Sequence, residues 1–199
     1  MKPLPSRCPR IAYFVSSHGF GHAARTRTIL EKLESHAAVT LFATTPNWFW
    51  GNLGVDFVHF QADIGCIQKG TLNIDEAATL AAFRQFKTGF QLRFEQLSLL
   101  HQSNPFDLIV TDIAPEPLEF AVKLNVPSVL VANFTWVEIY QQMASLAGEI
   151  PDLLRQYKLA TNTLIPAFQT GMDWATNPVV VDAVAKRGQG IRPFLNPEN

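Results

Sequence analysis

Apolar and polar positions fall into short blocks that change period along the chain. Ile11–Ser17 (IAYFVSS) is a run of β-branched and aromatic residues too short for a helix, and it predicts a buried strand. Ala23–Leu33 follows with Ile29, Leu30 and Leu33 on one helical face. AVTLFATT, ended by Pro46, predicts a second strand, and VDFVHF a third. Asp75–Gln102 carries Leu80, Phe83, Phe86, Phe90, Phe94 and Leu97 at spacings of three and four, which predicts one long helix. DLIVTD is a fourth strand, Glu116–Leu124 a short helix and PSVLVAN a fifth strand. Trp136–Ala147 and Pro151–Leu159 read as helices, and NTLIPAF as a sixth strand. Strands separated by helical segments imply crossover connections. The expected fold is α/β, a doubly wound, mostly parallel sheet of Rossmann-like type over residues 1–185. From Lys186 the tail KRGQGIRPFLNPEN loses all periodicity and reads as a linker or frayed end.

Composition narrows the function. At 199 residues, one core of useful size is available. A formal charge of -1 gives no electrostatic case for nucleic acid or an anionic membrane. Charged residues make up only 17%, against a usual ~25%, while the chain holds 15 Phe and 4 Trp. That balance predicts exposed apolar surface and therefore a partner. Cys8 and Cys66 form no disulfide framework. With no signal-peptide pattern and no run of about 18 apolar residues, a soluble cytoplasmic protein is the expectation.

The chemistry gathers where the first strand meets the first helix, in VSSHGFGHAARTR. In an open α/β sheet, ligands bind beyond the carboxyl ends of the strands, and this turn is a favoured place. Gly19-x-Gly21-x-x-Ala24 has the dinucleotide spacing, in which glycine allows a tight turn and close backbone approach. A nicotinamide site also wants an acid about 20 residues on. Here the second strand ends Ala43-Thr44-Thr45-Pro46, which argues against a dinucleotide. His22, in the first helical turn, is a candidate general base, kept neutral by the positive helix end. Asp112 ends the fourth strand at the same edge and is placed to orient it. The alternatives are a polar cap for His22 and an N-cap for Asp112. His18 reads as a turn or substrate-contact residue, and His36, His59 and His101 as surface or strand positions.

SSHGFGHAARTRTILEKL resembles the opening of GT-B glycosyltransferases, in particular the amino-terminal region of plant L-arabinokinases and related bacterial proteins. The likeness recurs in DIGCIQKGTLNID, in LIVTDIAPEPLEFAVKLNVPSVLVANFTWVEIY and around NPVVVDAVAKR. It implies the acceptor-binding half of an inverting, nucleotide-sugar-dependent enzyme. His22 would be the general base and Asp112 its orienting acid, with no metal and no bound cofactor; the nucleotide sugar would be the co-substrate of a donor half. His18, Gly19, Phe20, Gly21, Asn133 and Trp136 would line the acceptor side, although a core position suits Trp136 equally. Since no second Rossmann segment follows, the resemblance implies a donor domain on another chain, a fragment, or self-association. The alternative is a non-catalytic sugar- or nucleotide-binding module. A pure scaffold would bind nothing in the cleft.

Overall fold

In the computed structural model, residues 7–70 and 73–185 are described. The first half runs β1 (Arg10–Val15), α1 (Phe20–Leu33), β2 (Ala38–Ala43), α2 (Asn47–Trp50) and β3 (Asp56–His59). A small hairpin, β4 (Gln68–Lys69) with β5 (Asn73–Ile74), precedes α3 (Glu76–Thr88) and α4 (Phe90–Ser103). The second half is β6 (Leu108–Asp112), α5 (Glu116–Leu124), β7 (Ser128–Val131) and α6 (Trp136–Tyr140), then a 3-10 turn at Ala144–Glu149. It closes with α7 (Ile150–Tyr157), β8 (Asn162–Pro166) and β9 (Pro178–Val181).

Seven strands form one sheet in the order β3-β2-β1-β6-β7-β8-β9, with every neighbouring pair parallel. Parallel strands are covered on both faces, so the central ones read as unbroken apolar runs rather than alternating ones. Five of the six β1 residues are buried. Strand order reverses at β1, which sends β2 to one side and β6 to the other, and the carboxyl edge of such a switch point is where open α/β sheets place ligands. The Val15–Asp112 register pair sets the end of β6 beside the first turn.

One face is packed by α1 and α2, with Leu30 and Trp50 over Tyr13 and Leu41. On the other, α4 and α5 seat Leu97 and Phe120 near a Phe14–Phe42 stack whose centroids are 4.4 Å apart. A third cluster joins α3, α6 and α7 around Tyr140, Leu153 and Tyr157. Most of the aromatic excess is thus core. Exposed apolar surface is present as well: Trp48 is 74% and Phe168 87% exposed. On the α1 face, β6 to β9 carry an apolar trough of about 270 Å³ lined by Val110, Val129, Val131, Leu164 and Val181.

Several predicted boundaries shift for local reasons. Helix α1 begins at Phe20, not Ala23, because Gly19 takes φ 70 and serves as its N-cap. The long helix predicted over 75–102 breaks at Gly89, where Arg93 donates to the Phe86 carbonyl at 2.7 Å. The helix predicted at Trp136–Ala147 stops at Tyr140 and gives way to the 3-10 turn. Strand β9, helix α2 and the hairpin have no counterpart in the sequence reading. The tail predicted from Lys186 lies outside the described residues. None of the described helices is long and apolar enough to cross a membrane.

Candidate active site

Asp112 has no exposed surface, and His22 is 8% exposed. His22 sits at the third position of α1, so the helix aims it across the switch point at the end of β6. Its Nδ1 lies 2.8 Å from Asp112 Oδ1. Arg25, one helical turn on, grips the same carboxylate with Nε on Oδ2 at 2.9 Å and Nη2 on Oδ1 at 2.5 Å. Thr26 Oγ1 adds a bond to Oδ2 at 3.3 Å. A second arm of the guanidinium, Nη1, donates to Asn133 Oδ1 at 2.8 Å and ties α1 to the loop after β7. Burial alone would raise the Asp112 carboxyl, but the hydrogen bonds from His22 and Arg25 hold it below the usual carboxylate range. An ionised carboxylate only accepts, so a neutral His22 carries its proton on Nδ1, and in that form Nε2 keeps its lone pair.

A second polar cluster lies on the other side of the turn. Asp63, 4% exposed, accepts from the Ser17 backbone N–H and from Trp136 Nε1, both at 2.8 Å. Burial pushes its carboxyl up, and hydrogen bonds from Ser16, Ser17 and Trp136 oppose that. His18 is half-buried, edge-on to Trp136 with centroids 5.4 Å apart. Its Nδ1 accepts from the Cys66 backbone N–H at 3.4 Å. Burial pushes the nearby Cys66 thiol up to about 11, with Asp63 adding to the effect, so it stays protonated.

The structure thus brings together His22, Asp112 and Asn133 on one side, and His18 with Trp136 on the other. Gly19, Phe20 and Gly21 are exposed between them, and Phe20 packs on Phe49 with centroids 5.4 Å apart. Trp136 is only 2% exposed and stands behind His18. His36 and His59 are exposed, as expected, and His101 is partly exposed. Arg25 and Asp63 escaped the sequence reading. Arg25 had a signal, three positions after His22 on the same helix face. Asp63 lies in an irregular loop, where no period could point to it. Among the described residues, no cluster of three or more His, Cys, Asp or Glu is placed to hold a metal ion.

The seven-stranded parallel sheet with its flanking helices is similar in fold to one half of solved GT-B glycosyltransferases. Phytolacca americana UGT2, solved with UDP-2-fluoro-glucose and pterostilbene, superimposes with a TM-score of 0.62 at 15% identity, covering 93% of this chain and 56% of that one. The glycosyltransferase of kitacinnamycin gives 0.62 at 15% identity over 96% of this chain and 56% of its own. In sequence, the L-arabinokinase of Arabidopsis thaliana is 28% identical over 146 residues, or 69% of this chain and 14% of that protein. The chain therefore spans about half the length of the solved relatives and a small part of the curated one. No protein-family model matches it.

Proposed function

We propose that this chain is the acceptor-binding half of an inverting, nucleotide-sugar-dependent glycosyltransferase. The supporting observation is the 2.8 Å contact between His22 Nδ1 and a fully buried Asp112, which leaves Nε2 free to accept a proton. In this reading, Nε2 takes the acceptor hydroxyl proton while that oxygen bonds to the anomeric carbon. The bond from that carbon to the nucleotide diphosphate breaks, and the diphosphate leaves with the electron pair. Asp112 holds the imidazole in the required tautomer and offsets the positive charge it gains. The donor is bound by a second domain, in the same or another polypeptide. A solved relative of this fold holding both a UDP sugar and pterostilbene supports a donor and an acceptor meeting on such a protein.

The test is His22→Ala in a protein that carries both halves. Turnover per folded molecule should fall by roughly 100- to 10,000-fold, with acceptor affinity much less affected. Near-normal turnover in a folded variant would end the catalytic assignment. By calorimetry, the chain alone should show no micromolar site for uridine or guanosine sugar nucleotides.

Arg25 favours a second reading. Its guanidinium already neutralises Asp112, so the carboxylate has less to offer an imidazolium than it would in an isolated pair. On that ground the domain is a sugar-binding module without turnover. Saturable sugar binding with no transfer, even beside a donor domain, would decide for it.

A further inference from the structure

The two histidines of the opening turn are held in opposite tautomers. A backbone amide can only donate. His18 Nδ1 therefore accepts from Cys66 N–H, and a neutral His18 carries its proton on Nε2. His22 is the reverse, with Nδ1 donating to Asp112 and a lone pair on Nε2. Burial and the neighbouring His22 lower the proton affinity of His18, with Asp63 opposing, so the ring stays neutral near pH 7. The two rings face one short segment, His18 against Trp136 and His22 against Phe134 two residues before it. Neither Nε2 makes a hydrogen bond to a described residue.

The His18 ring is seated, not loosely draped. Its backbone N–H donates to Ser16 Oγ at 3.2 Å, and Trp136 meets it edge-on. Gly65, at φ +61, packs close to it, and a Cβ there would fall 2.5 Å from His18 Nδ1. Between the histidines, Phe20 offers a ring that is 54% exposed. A donor, an acceptor and an apolar ring on one short turn match a molecule with several hydroxyls and an apolar C–H face.

We propose that this turn is a two-point reader for a polyol such as a sugar or cyclitol. His18 Nε2–H donates to one oxygen, and His22 Nε2 accepts from a different hydroxyl of the same molecule. A compound with an isolated hydroxyl fills only half of it. This rests on the transferase reading only for which hydroxyl reacts.

The test uses the chain labelled with 15N-histidine. Long-range proton–nitrogen correlation spectra near neutral pH should show His18 protonated on Nε2 and His22 on Nδ1. A His18 proton on Nδ1 overturns the proposal. Titration then compares myo-inositol and methyl β-glucopyranoside with cyclohexanol. The polyols should shift both Nε2 signals and bind at least about tenfold more tightly, the worth of one added hydrogen bond to a seated partner. Equal binding of cyclohexanol, or an unmoved His18 Nε2, overturns it. His18→Gln keeps a donor and should hold polyol affinity within about threefold, while His18→Phe keeps the ring contact and should lose about tenfold. Equal losses in both variants overturn it too. Polyol binding without transfer beside a donor domain would sink the transferase reading alone. Transfer to isolated hydroxyls as readily as to polyols would sink only this one.

Discussion

Asp112 has no exposed surface, and the guanidinium of Arg25 is the strongest charge facing it. Taking one partner from a buried ion pair costs about 3–5 kcal/mol, because the other is left uncompensated. Arg25→Met should lose roughly that much in urea unfolding. Arg25→Lys should fall between, since an ammonium cannot reproduce the fork on both oxygens. A loss under about 1 kcal/mol would show that Asp112 does not depend on Arg25. The pH dependence has a definite sign. The folded Asp112 carboxyl titrates below its unfolded value, so its stabilisation is complete above about pH 4 and is lost as pH falls through the folded value. In Arg25→Met the folded value moves up toward the unfolded one, so the acid-dependent loss should be smaller and end at higher pH. At this scale the sequence announces His22 and Asp112, because a glycine turn and a strand end mark them. The strand pattern also sets the two at one sheet edge across 90 residues, but it hides the claim of Arg25 on the same oxygens.

The breaks between elements depend on glycines whose neighbours are side chains. At Gly89 a Cβ would come within 2.5 Å of Arg93 Nη1. Arg93 is not free to yield, because Nε and Nη2 grip Glu116 at 2.5 and 2.6 Å and that carboxylate is 4% exposed. Gly89→Ala should therefore destabilise by about 1–3 kcal/mol despite its better helix propensity. A gain in melting temperature would show that Arg93 relocates at little cost. Gly65→Ala should cost a similar amount, from its positive φ and from the displaced His18. The unbroken stripe from Leu80 to Leu97 could not reveal the Gly89 kink, since apolar spacing is the same on both sides. Strand β9 was hidden for a different reason: its residues are mostly exposed, so PVVV carries no alternation to separate it from a loop.

For the whole molecule, the sheet is covered unevenly. Helices α3 to α7 pack the face away from α1, while on the α1 face β6 to β9 carry an apolar trough that is open among the described residues. Such a face promotes association. Sedimentation of the chain alone should show self-association that rises with concentration, and Val181→Lys, at the trough rim, should suppress it. A strictly monomeric species at every concentration would count against the trough as a contact surface. The alternation of strand and helix made the sheet legible, but coverage of one face by distant elements leaves no local trace in the chain. The strand order has a consequence for synthesis. Of the seven strands, β1 is made before the others yet belongs in the middle of the sheet, hydrogen-bonded on one side to β2 and on the other to β6. At roughly 5–20 residues per second, the 90 residues between His22 and Asp112 take about 5 to 20 s to make. For that interval the nascent chain carries an apolar strand with one edge open, and a histidine with no carboxylate to meet.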